Sequence, residues 1–412
     1  MRLTHVVHAY TPSIGGSQIL IQRVSEELVQ QYGHAITVLT STARNLEHFW
    51  DAHEPGLPTG KEMINGVDVQ RLAVFNRLGP LWRILAGVAY RLGLPGNDWL
   101  RTAQQGPWLR GLADAIRTSQ PDVILAATFP LHHMYQTARI ARQLGKPLVL
   151  LGALHLADAW GYDRPMIYRA IRAADGYIAL SQHERDVLVE QHRVRPERIQ
   201  VIGGGIDLST FAQASATLAR QKFGLGDAPD APMVLSIGKH TERKRFDLLI
   251  QAMSTVWRTL PTAHLVIAGA KTAYTTQLEY QIAQLPHASQ IHLLSDVETD
   301  DKVNLLAACD VFALASGDES FGIVFVEAWA CGKPVVGANR GAIPSIIHNE
   351  VDGLVFDYPN PQNLAEKLLY LLNNPQLAHS LGQSGHAKTR QQYTWSQIAH
   401  QYHNFYQSTS PP

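Results

Sequence analysis

The chain reads as an α/β protein built from two doubly wound parallel-sheet domains. Three observations carry that expectation. Short apolar runs alternate with helix-like amphipathic segments along nearly the whole chain, the pattern of strands covered by helices on both faces. The runs fall into two sets. A Gly-rich break, Gly203-Gly204-Gly205-Ile206-Asp207, closes the first.

In the first half the apolar runs predict strands at 3–9, 36–40, 123–127, 148–151, 177–180 and 199–202. The first is followed by Gly15-Gly16-Ser17-Gln18 and then by apolar positions Ile19, Ile21, Val24 and Leu28, a turn that opens an amphipathic helix. Residues 78–92 place Leu78, Leu81, Trp82, Leu85, Val88, Ala89 and Leu92 on one helical face. That face fits a helix lying in a membrane interface, and fits an ordinary packed helix better. Ser181 after the fifth strand is expected to cap a helix. In the second half the strands are expected at 233–237, 264–268, 291–294, 311–315, 335–337 and 353–356. Between the halves, residues 208–230 read as a short helix and a linker. Aromatic residues at helical spacing fill 393–406, and a disordered tail is expected from Ser408. The expected division is 1–205, 206–385 and 386–412.

Composition narrows the function classes. A length of 412 residues supports two or three domains, and 35 basic against 35 acidic residues give no net charge, which disfavours nucleic acid as a partner. Both cysteines, Cys309 and Cys331, lie in apolar or helical context and read as buried thiols. The opening residues do not resemble a signal peptide, and no apolar stretch approaches the roughly 18 residues of a spanning helix. The expectation is a cytoplasmic protein, with residues 78–92 as its point of any peripheral contact with the inner membrane face.

The most informative stretch runs from Gly317 to Val336. An apolar strand precedes it, a Gly-bearing loop with Glu319 opens it, and a helix-like segment carries Glu327 and ends at Gly332. Free backbone N–H groups at such a helix start favour an anion, and adjacent carboxylates accept hydrogen bonds from sugar hydroxyls. A second segment, the basic Gly238-Lys239-His240-Thr241-Glu242-Arg243-Lys244-Arg245, follows the 233–237 strand and also calls for an anion. His155 follows the 148–151 strand. The adjacent His132 and His133 cannot share a metal as an i,i+4 pair does, and read as structural or acceptor-side.

The Glu319–Glu327 spacing, the Ala330-Cys331-Gly332-Lys333-Pro334 run and the Gly341-Ala342-Ile343-Pro344 turn together resemble the signature of retaining GT-B glycosyltransferases of family 4. The resemblance implies two Rossmann-like domains facing a cleft, with a C-terminal helix returning to the first domain. It implies sugar transfer from a nucleotide-sugar to a hydroxyl acceptor (a glycan, a small molecule or a lipid-linked compound) with retention of anomeric configuration. It places Glu327 at ribose hydroxyls, and Glu319 with Phe321, Gly322, Ile323 and Val324 at the donor sugar. Gly238, Lys239 and Lys244 would meet the diphosphate, Gly15 and Gly16 the donor phosphates and acceptor, and Asp296 and Val297 the base. His155 would lie at the reacting sugar, so that His155, Glu319 and Lys244 form the catalytic set. The chain departs from the family pattern in carrying Lys239 for an Arg and Arg245 for a Gly. No Asp-x-Asp triplet occurs, so neither metal nor other cofactor is expected. A nucleotide-sugar epimerase of the same shape and a non-catalytic sugar-nucleotide or glycan-binding protein are the alternatives.

Overall fold

The structure is a computed structural model describing residues 1–13, 15–77, 79–225 and 231–409. It divides into two compact units, Met1–Gly204 together with the chain from Trp395 onward, and Gly205–Thr394.

The first unit holds β1 (Arg2–Val7), β2 (Ala35–Ser41), β3 (Gly60–Ile64), β4 (Val67–Leu72), β5 (Val123–Ala127), β6 (Leu148–Leu151), β7 (Gly176–Ala179) and β8 (Ile199–Val201). They form one sheet in the order β3-β4-β2-β1-β5-β6-β7-β8. Strands such as β5, Val-Ile-Leu-Ala-Ala, are buried throughout, as a parallel strand covered on both faces must be. With β2 on one side of β1 and β5 on the other, the winding reverses at β1, and the loops after β1 and β5 open at that switch point.

Two strands, β3 and β4, were not expected. β3 pairs antiparallel with β4 at the sheet edge. Their turn is Asn65-Gly66, with φ of 49° and 83°, the positive pair that tight hairpins favour. β3 is almost wholly exposed and lacks an apolar alternation, which is why pattern alone passed over it.

The second unit holds β9 (Met233–Ile237), β10 (His264–Gly269), β11 (Ile291–Ser295), β12 (Val311–Leu314), β13 (Val335–Ala338) and β14 (Leu354–Phe356). All pair in parallel, in the order β11-β10-β9-β12-β13-β14. Here the reversal falls at β9, so the loops after β9 and β12 adjoin. Each run expected as a strand is one, with ends within two residues.

Three boundaries differ from expectation. The return to the first unit begins at Trp395 rather than at 386, because the helix Pro375–Gln392 packs on the helix Ile323–Ala330 and stays in the second unit. The helix Trp395–Thr409 then lies on the helix Gly16–Tyr32, burying Trp395, Ile398, Ala399, Tyr402 and Tyr406. The Tyr406 hydroxyl meets His5 Nε2 at 3.1 Å, and His5 Nδ1 meets Ser25 Oγ at 2.8 Å. Ser408 and Thr409 continue that helix, and the rest of the expected tail, 410–412, lies outside the described residues. The expected linker contains two short helices, Leu208–Ala212 and Ala216–Lys222, and its residues 226–230 lie outside the described residues.

The helix expected at 78–92 runs Gly79–Arg91, but most of the face expected to pack is turned outward. Leu81, Leu85, Val88 and Leu92 are exposed, while of that face Ala89 is buried beside Ala86 and Trp82 is half-buried against Trp99; Leu78 lies outside the described residues. Both cysteines are free thiols, and burial pushes Cys309 up to about 12 and Cys331 up to about 11.

Candidate active site

The two loops at the second unit's switch point are tied together by their backbones. The Arg243 carbonyl accepts from Gly317 N at 3.2 Å and from the Ser316 hydroxyl at 3.3 Å. Across this seam Lys244 Nζ donates to Glu319 Oε1 at 2.5 Å, with both side chains largely enclosed. Arg340 Nε donates to the Gly317 carbonyl at 2.9 Å, holding the start of the loop from the other side.

Arg245, standing where the resembled family carries glycine, adopts that residue's conformation, with φ 51° and ψ 44°. Its guanidinium compensates for the strain by gripping Asp247 through Nε and Nη2, both at 3.0 Å, and by donating to the Tyr358 hydroxyl at 2.8 Å. The turn is therefore preserved, and it delivers the chain into the helix Phe246–Thr259. Gly238 lies against the Lys244 stem: a Cβ built there would sit 3.1 Å from Lys244 Cε. Lys239 is exposed on the same loop.

After Gly322, which has φ 93°, the helix Ile323–Ala330 begins. Ile323 and Val324 stand half-buried in its first turn, Phe321 is buried against the Tyr393 ring, and Glu327 lies one turn on. Lys302, from the helix Thr299–Ala308, donates to Glu327 Oε1 at 2.6 Å. The other oxygen, Oε2, is buried and has no hydrogen-bond partner. A buried carboxylate oxygen left unpaired is costly, so this atom is built to accept. Asp296 follows β11 in a left-handed conformation, φ 54°, its Oδ1 accepting from Lys271 N at 2.9 Å; Val297 beside it is half-buried.

The structure thus brings Gly238, Lys244 and Glu319 into contact, with Phe321 through Val324 and Glu327 on the chain that follows. Gly15, Gly16 and His155 belong to the first unit. Gly15 carries an extended φ of 179° and precedes the helix Gly16–Tyr32, at the carboxyl end of β1. His155 follows β6, its ring 5.7 Å from that of Tyr162. His132 stacks on Trp108 at 3.6 Å, and buried His133 Nε2 contacts the Ala127 carbonyl at 2.9 Å, both packing roles. Ser181 caps its helix as expected, accepting from Glu184 N at 3.2 Å.

Sequence reasoning passed over four residues of these loops: Lys302, Arg340, Tyr358 and Glu184. The first three pair with partners from 18 to 113 positions away, and no local pattern records such contacts. Glu184 lies at the third position of its helix, where a carboxylate normally faces solvent. Here it is buried, accepting from the Tyr177 hydroxyl at 2.5 Å and from Leu180 N at 2.9 Å. The strand-end glycine of the loop bearing His155 passes over this pair, and a Cβ on Gly152 would lie 1.6 Å from the Tyr177 hydroxyl oxygen.

Burial pushes the Glu184 carboxyl from 4.5 up to about 7, although hydrogen bonds from Tyr177 and from backbone groups oppose the shift. A pKa raised on folding contributes stability that is complete below 4.5 and lost as pH rises through about 7. The stability gap between the native chain and Glu184→Gln should move in favour of glutamine by about 3 kcal/mol from about pH 4 to about pH 8. Thermal unfolding across that range checks this, and a pH-independent gap would contradict it.

The fold matches that of solved GT-B proteins. Sucrose-phosphate synthase from Thermosynechococcus elongatus superposes with a TM-score of 0.72 at 18% identity, covering 99% of each chain. Anabaena HepE in complex with UDP and glucose superposes with a TM-score of 0.71 at 20% identity, covering 98% of this chain and 99% of its own. By sequence, residues 219–388 match the glycosyl transferases group 1 and residues 14–210 match Glycosyltransferase Family 4, and the chain belongs to this family of glycosyltransferases. A D-inositol 3-phosphate glycosyltransferase of Mycolicibacterium gilvum is 34% identical over 204 residues, 48% of this chain and 45% of that protein. Another, of Xylanimonas cellulosilytica, is 26% identical over 402 residues, 94% of this chain and 90% of that protein. The chain spans about half the length of the Mycolicibacterium relatives that it matches. Among the described residues no helix is long and apolar enough to cross a membrane.

Proposed function

We propose that this chain transfers a sugar from a nucleotide-sugar to a hydroxyl acceptor, retaining the anomeric configuration and using no metal. The observation that carries the reading is the unpartnered, buried Glu327 Oε2 beside a Lys302-held Oε1, one turn into a helix on the switch-point edge. Such an oxygen takes a ribose hydroxyl as donor. Lys239, Lys244 and the N–H groups opening the helix Ile323–Ala330 take up the charge of the leaving diphosphate. When the diphosphate draws Lys244 away, Glu319 is released to accept from sugar hydroxyls. The backbone from Phe321 to Val324 supports the sugar, while Asp296 and Val297 border the base. His155, Gly15 and Gly16 keep the places that the family resemblance gives them, at the reacting sugar and the phosphates.

The HepE complex makes UDP-glucose the first donor to try. The acceptor is a hydroxyl, of a soluble polyol phosphate like that named for the relatives or of a lipid-linked compound. Neither carboxylate is free to act as a nucleophile on the sugar's far face, so acceptor and leaving group share one face and the departing diphosphate helps remove the acceptor proton. NMR of the product from an α-linked donor should show an α-linkage; a β-linkage would sink the retaining assignment. Glu327→Gln should raise donor KM by about 10- to 100-fold, the loss of one charge-assisted hydrogen bond. An unchanged donor KM in steady-state kinetics would remove Glu327 from the ribose role.

A further inference from the structure

We propose that the helix Gly79–Arg91 and the turn after it form a docking face for an anionic lipid bilayer. The inference rests on the reading of the first unit as the acceptor side. It starts from an inversion of ordinary helix patterning. Leu81, Ile84, Leu85, Val88 and Leu92, spaced i, i+3, i+4, i+7 and i+11, form one continuous stripe, and all are exposed, Ile84 by 66% and Leu92 by 67%. The buried face is made of Ala86 and Ala89. A soluble helix places its aliphatic face inward; this one does the reverse. More than half of the exposed large apolar side chains among the described residues fall between Leu81 and Trp99, a concentration that marks an interaction surface.

Charge selects the occupant. Arg77, Arg83 and Arg91 are exposed along this stretch, and no carboxylate occurs between Asp68 and Asp98. An apolar stripe whose own chain segment carries arginines and no carboxylate suits the boundary between acyl chains and acidic headgroups, where each basic residue near the surface adds attraction. A second copy of the same face would set arginine against arginine.

The face is joined to the loop carrying His155. Tyr90 packs edge-on against Trp160 at 4.6 Å, and the Arg101 guanidinium lies over both rings, at 4.8 Å and 5.4 Å. Trp160 belongs to the helix Ala159–Tyr162, whose last residue contacts the His155 ring. A bilayer seated on the stripe would therefore present its headgroups beside the loop carrying His155.

Sedimentation of the full chain with phosphatidylglycerol-containing vesicles tests the proposal, beside pure phosphatidylcholine vesicles and the double variant Ile84→Glu/Val88→Glu. The native chain should partition onto the anionic vesicles. The variant, altered only at exposed positions, should lose at least about tenfold of that partitioning. Binding should also weaken as salt screens the arginines. A native chain that stays in solution, a variant that binds equally, or a native dimer by light scattering that the variant dissolves would each overturn the proposal. A parallel thermal-shift titration with UDP-glucose reads the donor site alone. Failure there, with vesicle binding intact, would remove UDP-glucose as the donor and leave the docking face standing.

Discussion

Lys244→Ala is expected to lower kcat/KM by about 100-fold, the loss of one strong charged contact to the diphosphate in the transition state. It should also destabilise the fold. Lys244 and Glu319 face each other at 2.5 Å with side chains only 13% and 11% exposed. Removing the ammonium leaves the carboxylate poorly solvated and without its counter-charge. Fully buried pairs broken in this way cost about 3–5 kcal/mol, and this partly open pair should fall at or below the lower end. The two effects separate in Lys244→Ala/Glu319→Ala. Taking away both partners should return most of the lost stability while the rate stays low. If the double variant regained activity, Lys244 would be a structural counter-ion and not a diphosphate contact.

Gly269→Ala is expected to be the most damaging single methyl group in the second unit's switch-point region. Gly269 ends β10, directly beside Gly238 at the end of β9. A Cβ there would lie 1.9 Å from the Gly238 carbonyl oxygen and 3.2 Å from Lys239 N. Both are backbone atoms, so no side chain can swing aside, and the ends of two central strands must part. Overpacking of this kind costs about 3 kcal/mol. It also moves the loop carrying Lys239 and Lys244, so the thermal shift produced by UDP-glucose should vanish with the lost stability. Gly87→Ala serves as the control, since a Cβ there meets nothing within 4 Å, and it should be neutral or slightly stabilising. A Gly269→Ala chain that unfolds and responds to donor like the native one would show that the strand ends yield more easily than their packing implies.

The fold was legible because a parallel sheet covered on both faces writes itself as uninterrupted aliphatic runs. Val123–Ala127 and Met233–Ile237 could hardly be anything else. β3 went unread because Gly-Lys-Glu-Met-Ile offers no alternation, although Asn65-Gly66 and the alternating start of β4, Val-Asp-Val-Gln, were available signals. At the site, Glu319, Glu327 and Lys244 stood out as charges placed just after strands or on the following helix. What could not be read was their pairing. Glu327 with Lys302 and Arg245 with Tyr358 are contacts between different loops and helices, fixed only once the strand order is known. Arg245 is instructive in another way. From sequence it stood as a departure from the family pattern that left the shape of the turn open, and the structure shows that a side chain with two anchors can hold the backbone of a glycine. The outward face of Gly79–Arg91 misled for the opposite reason, since periodicity reports that a helix has an apolar side but not what lies against it.

The first unit is made from both ends of the chain, and that has a consequence for biosynthesis. Residues up to Gly204 leave the ribosome well before Trp395–Thr409 exists. At about 5–20 residues per second, the wait is roughly 10–40 s. Throughout it, the surface that Tyr402 and Tyr406 will cover stays open, and the buried His5 ring lacks its tyrosine partner. The nascent first half must therefore persist as an incomplete body while the entire second unit is translated. Chaperone dependence should be concentrated in that interval, and ribosome stalling late in the message should be more harmful to this protein than stalling near its middle.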